Sequence, residues 1–470
     1  MEEKKDASTQ EIFFEAPPCS DGEKTVSDGG MVALNMPNQP KKEEKIKVGH
    51  IFLAVGIALV SFVGGFFTHR GMLDKEMLSL INVKQAIDEN YYTEIDNDTF
   101  YGVLFDAINN QLLDPYSRYM TADEYAEFKE SATGKWSGLG LSFLVKDAEG
   151  QDQMLITKVS GNSPAEKQGI LEGDKIIGYG ATEESVTDNQ SFEEFSKFLQ
   201  PYEAGQTFVL KIASGEQTRL VNIAKEAFVE NYVFYRSKTT AYTFTGENAT
   251  DKQVLQNSLS ALSEDTAYIR LTQFNGSASQ QFASTMSLFK EENKKNLILD
   301  LRANGGGYLN ILCDIASYFC KDSSESTPLV AVAIDKNGKQ ENYQATKNLY
   351  KEYFSQDSRI CILADSSSAS ASECLIGAML DYQTINYADI CLSERNGEAK
   401  TYGKGIMQMT YPFGLGNEDA MKLTTAKIYW PISRNCIHDR GIVSSDGTKT
   451  VAENYQKDAE LIAAISALGL

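Results

Sequence analysis

The sequence predicts a multidomain α/β protein, in which a helical region, a strand-rich module and a mixed α/β core follow one another. Three patterns predict this order. Apolar residues recur at helical spacing from about residue 74 to about residue 130, short alternating strands follow Trp136, and buried-type strands each followed by a helical pattern begin near residue 228. The expected domains are a helical region at residues 69–131, a strand-rich domain at residues 132–227 and a mixed α/β domain at residues 228–470.

Residues 48–68 form an apolar run, VGHIFLAVGIALVSFVGGFFT, that contains no Asp, Glu, Lys or Arg over its 21 positions. At about 1.5 Å of rise per helical residue, the run is just long enough to cross the hydrocarbon core of a bilayer. Lysines crowd its amino-terminal side, so the positive-inside rule predicts a cytoplasmic polar tail at residues 1–47. A cleaved signal peptide is the alternative, but such a peptide begins with a short basic region. We expect a single-pass cell-membrane protein whose carboxyl-terminal part is extracytoplasmic.

The composition argues against several function classes. A formal net charge of −21 argues against a nucleic-acid partner, because such binding depends on clustered Lys and Arg. The three histidines, His50, His69 and His438, leave little for a metal site or a Ser-His-Asp triad, so we expect neither a metal nor another cofactor. Six of the seven cysteines follow the apolar run, and those at Cys361 and Cys374 lie in apolar stretches. Buried free thiols are therefore expected rather than disulfides.

The strand-rich domain carries two short helical patterns, SPAEKQGI and SFEEFSKFLQ, within about 90 residues. This outline and the segment GNSPAEKQGILEGDKIIGYG resemble a PDZ domain. The resemblance implies that the loop formed by Gly138, Leu139, Gly140 and Leu141 binds a carboxylate, although two nearby glycines alone also fit an ordinary turn. Backbone N–H groups in such a turn form an anion nest, and the strand edge after it can accept an extended peptide. The expected partner is a polypeptide with an exposed apolar carboxyl terminus.

The stretch ADSSSASASECL at residues 364–375 places small residues between an apolar strand and a helical pattern. Ser370 and Glu373 fit a capping box, in which the serine merely accepts a hydrogen bond from the first helical turn. A nucleophilic serine fits the same layout, since small side chains let a substrate backbone approach closely. Such a serine needs a base. From this segment alone, both interpretations stay open.

The base must come from a small set of side chains. His438 precedes two charged residues and fits a solvated turn. Lys404 lies between two glycines in TYGKGIMQMTY, and a lysine that a dry setting frees of its proton can act as a general base. Period-two alternation along the following strand would point Lys404 and Gln408 the same way. Gln408 is then the candidate to orient the amine of Lys404.

The segment DLRANGGG at residues 300–307 links a buried-type strand to a helical pattern through three glycines. A loop of this kind aims backbone N–H groups at an anion. A nucleotide phosphate is one candidate, but no Lys-Ser/Thr pair follows the glycines and the Rossmann spacing is absent. An oxyanion is therefore the favoured ligand.

Taken together, the ordered motifs resemble the carboxyl-terminal processing proteases, also called tail-specific proteases, which are PDZ-containing serine peptidases. The motifs are LDPYSRYMTADEYAEF, DLRANGGG, SASASE, YGKGIMQ and LTTAKIYWP followed by GIV, and they span most of residues 75–447. The resemblance implies a mixed α/β peptidase core of the ClpP/crotonase-like type. It also implies the following roles: Ser370 as the nucleophile, Lys404 as the general base with Gln408 beside it, Ala371 and Gly306 as oxyanion donors, and Asp381 in a supporting position.

The sequence departs from the family pattern in three places. The stretch between Ser370 and Lys404 is several residues longer than usual, Ser444-Ser445-Asp446 replace a Pro-Asp pair, and Asn304-Gly305-Gly306-Gly307 stand for NPGG. None of these replaces a candidate catalytic residue. The expected function is a membrane-anchored serine endopeptidase that recognises polypeptide carboxyl termini and cleaves through a Ser-Lys dyad. The alternative is a catalytically inactive PDZ scaffold that binds protein tails.

Overall fold

The computed structural model describes residues 74–146, 150–189, 191–245, 250–255, 258–321, 326–395, 397–414, 418–452 and 457–469. The chain divides into two compact units. Of the described residues, those up to Leu112 belong to one unit, Pro18–Leu112, and those from Leu113 onward belong to the other. Within the second unit lie the strand-rich domain and the mixed α/β core.

The expected membrane anchor has to be corrected. Within the described residues, no helix is both long enough and apolar enough to cross a membrane. About 20 consecutive apolar residues are needed, whereas the longest described helix has 16 residues and includes charged side chains. The apolar run at residues 48–68, which carried the prediction, lies outside the described residues. For the described residues the fold class is therefore α/β, and neither the predicted transmembrane helix nor the localisation inferred from it is supported.

The α-helices of the described residues are α1 (Lys75–Asn90), α2 (Asn97–Ala107), α3 (Ala122–Ala132), α4 (Pro164–Lys167), α5 (Phe192–Leu199), α6 (Ala278–Glu291), α7 (Leu309–Ala316), α8 (Tyr350–Tyr353), α9 (Ala371–Asp381) and α10 (Lys457–Leu468). The strands before the core are β1 (Arg118–Met120), β2 (Lys135–Gly138), β3 (Leu141–Lys146), β4 (Asp152–Val159), β5 (Lys175–Gly180), β6 (Thr187–Asp188), β7 (Thr207–Ser214), β8 (Gln217–Ala224) and β9 (Glu226–Val229). Those of the core are β10 (Val233–Arg236), β11 (Ala241–Phe244), β12 (Lys252–Val254), β13 (Thr266–Leu271), β14 (Asn296–Asp300), β15 (Leu329–Asp335), β16 (Gln340–Gln344), β17 (Ile360–Ala364), β18 (Ile390–Ser393), β19 (Ile406–Pro412), β20 (Ala420–Tyr429) and β21 (Lys449–Val451).

In the unit Pro18–Leu112, α1 and α2 each begin at an aspartate that caps the helix. Asp74 accepts a hydrogen bond from the N–H of Met77, and Asp96 accepts one from the N–H of Thr99. Both bonds satisfy N–H groups that the first helical turn leaves without a partner. A short π-helical stretch, Ile108–Leu112, follows α2. Within the predicted helical region, residues 74–112 thus consist mainly of two capped helices and this π-helical stretch.

The strand-rich domain is a six-stranded sheet with two short helices, α4 and α5. Its strand order is β3-β4-β5-β7-β8, with β6 paired to β5, and among the described strands β3 pairs only with β4. Alternate side chains of the sheet pack on α5, where Phe195 is 1% exposed. Strands β2 and β9 pair with each other and lead into and out of the domain. The edge of β3 therefore remains available for pairing with another extended chain.

The core is built on an eight-stranded sheet in the order β12-β11-β10-β13-β14-β17-β18-β21. Its strands β13, β14, β17, β18 and β21 are parallel. Leu297 and Leu299 of β14 pack into the main core with α6, α7 and α9, whereas Ile298 packs on the other face with Leu461 of α10. This alternation explains why the strand reads as continuously apolar, since both faces are covered.

The parallel arrangement positions the two loops that the sequence singled out. β14 and β17 are neighbours, so the glycine-rich loop after β14 and the serine-rich loop after β17 leave the sheet at the same edge. A second sheet contains β1-β20-β15-β16 with β19 paired to β20, and it carries Lys404 just before β19. Among the described residues all six cysteines are free thiols and five of them are buried, as the sequence predicts.

Candidate active site

Several hydrogen bonds tie the glycine-rich loop to the serine-rich loop, and three of them flank Ser370. The Oγ of Ser368 donates to the carbonyl oxygen of Leu301 at 2.7 Å. The carbonyl oxygen of Asn304 accepts from the N–H of Ala369 at 3.0 Å and from the Oγ of Ser372 at 2.9 Å. Ser368, Asn304 and Ser372 are fully buried, so the bonds are shielded from water. The backbone on both sides of Ser370 is thereby fixed.

Ser370 has an unusual backbone conformation. It precedes α9 and forms a capping box with Glu373, but its φ is 56° and its ψ is −113°. A residue that only caps a helix normally lies in the extended region, and positive φ is uncommon outside glycine. The capping interpretation therefore describes part of this geometry and leaves the strained backbone unexplained. Strain of this kind concentrates at functional sites.

Glu373 joins the segment of Ser370 to the segment of Lys404. Its Oε2 accepts the N–H of Ser370 at 3.0 Å and the N–H of Lys404 at 2.9 Å. Its Oε1 accepts the N–H of Gly403 at 2.8 Å and the Oγ1 of Thr401 at 2.6 Å. Burial raises the pKa of this carboxyl above its ordinary value, although the four donors act in the opposite direction. One buried side chain thus sets the spacing between the candidate nucleophile and the candidate base.

Lys404 is 2% exposed, and its Nζ lies 5.0 Å from the centre of the Tyr116 ring. Gln408 is equally buried, and its Nε2 donates to the Oγ1 of Thr424 at 3.3 Å. Strand β19 begins only at Ile406, so the alternation that pointed Lys404 and Gln408 the same way does not extend back to Lys404. The role of Gln408 as a partner of Lys404 stays a prediction.

Both candidate oxyanion donors lie beside Ser370. A Cβ added to Gly306, whose φ is 100°, would lie 2.8 Å from the Cβ of Ser370 and 2.9 Å from the nitrogen of Ala371. The N–H of Gly306 donates to the Oδ1 of Asn304 at 2.9 Å. Ala371 is the first residue of α9, where N–H groups have no acceptor within the helix and the helix dipole favours negative charge. The Ala371 N–H is thus the better placed donor.

Asp381 lies at the other end of α9, eleven residues after Ser370 and about 16 Å along the helix axis. Its Oδ2 accepts the N–H groups of Ile432 at 2.8 Å and Ser433 at 2.9 Å. These bonds hold the loop after β20. The contacts fit a supporting position that is remote from the chemistry.

In the strand-rich domain, the candidate carboxylate loop turns on two glycines with positive φ, 158° at Gly138 and 75° at Gly140. The Leu139 side chain is 7% exposed, and its carbonyl oxygen accepts the N–H of Ala165 at 3.1 Å. A Cβ on Gly140 would lie 2.2 Å from the Cβ of Ser163, so only glycine fits there. Leu141 begins the edge strand β3. The loop therefore leads directly into the free edge.

Sequence reasoning missed two residues of this site. Glu373 was visible only as the acid of a capping box, and nothing local indicates that its carboxylate reaches the segment around Lys404. Tyr116 belongs to the LDPYSRY motif, which the sequence marks as a turn. Its contact with Lys404 joins residues 288 positions apart in the chain. The ordered motifs were the only available signal for it.

Comparisons of the sequence with known proteins agree with the motif pattern. Residues 265–445 match the model of Peptidase family S41. A probable CtpA-like serine protease of Staphylococcus haemolyticus is 26% identical over 436 residues, which cover 90% of this chain and 77% of the relative. One of Staphylococcus saprophyticus is 29% identical over 367 residues, covering 78% and 64%. A solved structure described as photosystem II D1 C-terminal processing protease has a TM-score of 0.45 at 21% identity, covering 79% of this chain and 92% of that one.

Proposed function

We propose that this serine-type peptidase, which is related to the carboxyl-terminal processing proteases, cleaves polypeptides by acyl transfer with Ser370 as the nucleophile and Lys404 as the general base. The observation that carries the proposal is the carboxylate of Glu373. It binds the N–H of Ser370 and the N–H of Lys404 at 3.0 and 2.9 Å and so keeps the two residues in one site. The strained backbone of Ser370 supports the same assignment.

In this mechanism the Oγ of Ser370 attacks the scissile carbonyl carbon while the Nζ of Lys404 takes its proton. The oxyanion that forms accepts a hydrogen bond from the N–H of Ala371 at the start of α9. The ammonium of Lys404 then gives its proton to the leaving amine, and the C–N bond breaks. Lys404 next takes a proton from a water molecule whose oxygen attacks the acyl ester, and it passes that proton to the Oγ of Ser370 as the ester C–O bond breaks. Gln408 is proposed to orient Lys404.

Gly306 is the second proposed oxyanion donor. Its N–H is bound to the Oδ1 of Asn304 at 2.9 Å, so it must exchange that acceptor for the oxyanion when the substrate carbonyl arrives. A charged acceptor forms the stronger hydrogen bond with an N–H group, which favours the exchange. Asn304 then acts as a temporary acceptor that keeps the buried N–H satisfied in the free enzyme.

The strand-rich domain is proposed to bind the carboxyl terminus of the substrate as a PDZ domain does. The N–H groups of the loop at residues 138–141 would hold the terminal carboxylate, and the peptide would pair with the free edge of β3. Beside this edge, the rings of Phe143 and Phe192 have their centres 5.7 Å apart, and Phe192 is 41% exposed. An apolar last residue would cover these rings.

Amidating the carboxyl terminus of a substrate peptide is expected to raise KM at least about tenfold, because the amide removes the charge that the loop N–H groups bind. The measurement compares cleavage of the acid and amide forms of one peptide that ends in an apolar residue. The rate at which a fluorophosphonate labels the enzyme before either peptide is added serves as the control, since it should be the same in both assays. Equal KM values for the two peptides would mean that the loop does not recognise the terminal carboxylate.

The test of the catalytic assignment uses the purified full chain with a fluorophosphonate probe and a reporter polypeptide that has an apolar carboxyl end. Wild type is expected to cut the reporter and to carry the probe on Ser370, as located by mass spectrometry, whereas Ser370→Ala does neither. A protein that binds the reporter tail but neither cuts it nor reacts with the probe would instead support the inactive scaffold. Labelling at another serine would refute the assignment of the nucleophile.

A further inference from the structure

The LDPYSRY motif, which the proposed function leaves unused, is fixed against the sheet that carries Lys404. The Oδ1 of Asp114 accepts the N–H groups of Tyr116 and Ser117, both at 2.9 Å, which closes a tight turn. The Oγ of Ser117 accepts the N–H of Thr424 of β20 at 2.8 Å. The backbone of Tyr116 is therefore held in place on both sides of the turn.

The side chain of Tyr116 covers the candidate base. The centre of its ring lies 5.0 Å from the Nζ of Lys404, and its hydroxyl donates to the hydroxyl of Tyr402 at 3.2 Å. The N–H of Tyr402 donates to the carbonyl oxygen of Ser368 in the serine-rich loop at 3.0 Å. Burial and the bond to Tyr402 raise the pKa of the Tyr116 phenol, so the ring stays neutral. The ring is thus fixed with Lys404 at its face.

The face of an aromatic ring carries partial negative charge and attracts a cation within about 6 Å of its centre. In the proposed mechanism Nζ is neutral before attack and becomes an ammonium when it takes the proton of Ser370. A buried ammonium lacks the water that would stabilise it. An attraction that acts on the ammonium more strongly than on the amine lowers the barrier, because it grows toward the transition state.

We propose that Tyr116 is a positioning residue for Lys404, which holds the amine toward Ser370 and stabilises the ammonium that forms during acylation. The inference rests on the proposed function, because it requires Lys404 to act as the base. It gives the LDPYSRY motif a place in the reaction. Tyr402 is the second member of the arrangement, since its hydroxyl fixes the ring of Tyr116.

The test compares Tyr116→Phe with Tyr116→Leu in the full chain, using cleavage of the reporter polypeptide. Phenylalanine keeps the ring face and loses only the hydrogen bond to Tyr402, so kcat should stay within about threefold of wild type. Leucine covers Lys404 but lacks the partially negative face of an aromatic ring, so kcat should fall about tenfold while KM stays unchanged. Equal kcat values for the two variants would overturn the proposal, whether both values stay near that of wild type or both fall.

A second measurement separates the electrostatic effect from folding. Fluorinated phenylalanine at position 116 keeps the shape of phenylalanine but weakens the negative face of the ring, so kcat should fall stepwise with the number of fluorine atoms. An unchanged kcat across this series overturns the proposal even if the leucine variant is misfolded. Ser370→Ala is measured beside them: if it still cleaves the reporter, the proposed function fails. If Ser370→Ala is inactive and the ring variants do not differ, only the role of Tyr116 fails.

Discussion

Lys404→Met is expected to lower kcat for the reporter polypeptide by about 10³-fold or more, because the site loses the group that takes the proton of Ser370. Methionine matches the length of the lysine stem and suits the buried position, where Lys404 is 2% exposed. The bond between Glu373 and residue 404 uses the backbone N–H, so it survives the substitution. The free energy of unfolding should therefore be unchanged or higher, since an apolar side chain replaces a buried amine.

Lys404→Arg is the matched control for charge. Arginine stays protonated in proteins and cannot accept the proton, so it should be as inactive as the methionine variant. Both variants are measured by steady-state cleavage and by thermal unfolding, with binding of the reporter tail as the test that the remainder of the molecule is intact. Substantial activity in the arginine variant would mean that Lys404 acts through its charge. A methionine variant within tenfold of wild type would exclude it as the base.

The sequence predicted most of what local pattern can encode. Strands β14 and β17 are buried on both faces and read as continuous apolar runs, and each is followed by a small-residue loop, so their placement in a parallel sheet was predictable. Ordered motifs predicted a serine-type peptidase related to the carboxyl-terminal processing proteases, and the comparisons confirm this. The free state of the cysteines followed from their apolar surroundings and is also confirmed for the described residues.

Other features depend on contacts between distant segments, which local pattern does not encode. The contact of Tyr116 with Lys404 and the three bonds of Glu373 to residues 401, 403 and 404 arise only when the sheets are assembled. The period-two argument from Lys404 to Gln408 treated both residues as part of one strand, whereas β19 begins at Ile406. The predicted membrane anchor was wrong, because within the described residues no helix is long and apolar enough to cross a membrane. The prediction rested on one apolar run, at residues 48–68, which lies outside the described residues.

Glu373→Gln is expected to lower kcat by about 10²-fold and the free energy of unfolding by about 2–4 kcal/mol. All four contacts of the carboxylate are with donors: the N–H groups of Ser370, Gly403 and Lys404 and the Oγ1 of Thr401. Glutamine keeps only one acceptor oxygen, and its NH₂ group faces two of these donors. At least one buried N–H loses its acceptor, and the segments of Ser370 and Lys404 are no longer held at a fixed spacing.

Glu230→Gln provides the control for a buried carboxylate that lies outside the proposed chemistry. Glu230 is 1% exposed, close to the 0% of Glu373, and it accepts from the Nε1 of Trp136 and pairs with Lys158, both at 2.9 Å. Glu230→Gln should lower the free energy of unfolding by about as much as Glu373→Gln does. The rate of fluorophosphonate labelling of Ser370 should stay near that of wild type. Equal labelling rates in the two variants would mean that Glu373 has only a structural role. Slow labelling in Glu373→Gln alone would mean that the carboxylate aligns Ser370 with Lys404. The two variants would then have lost similar stability, so only the spacing of Ser370 and Lys404 could explain the difference in labelling rate.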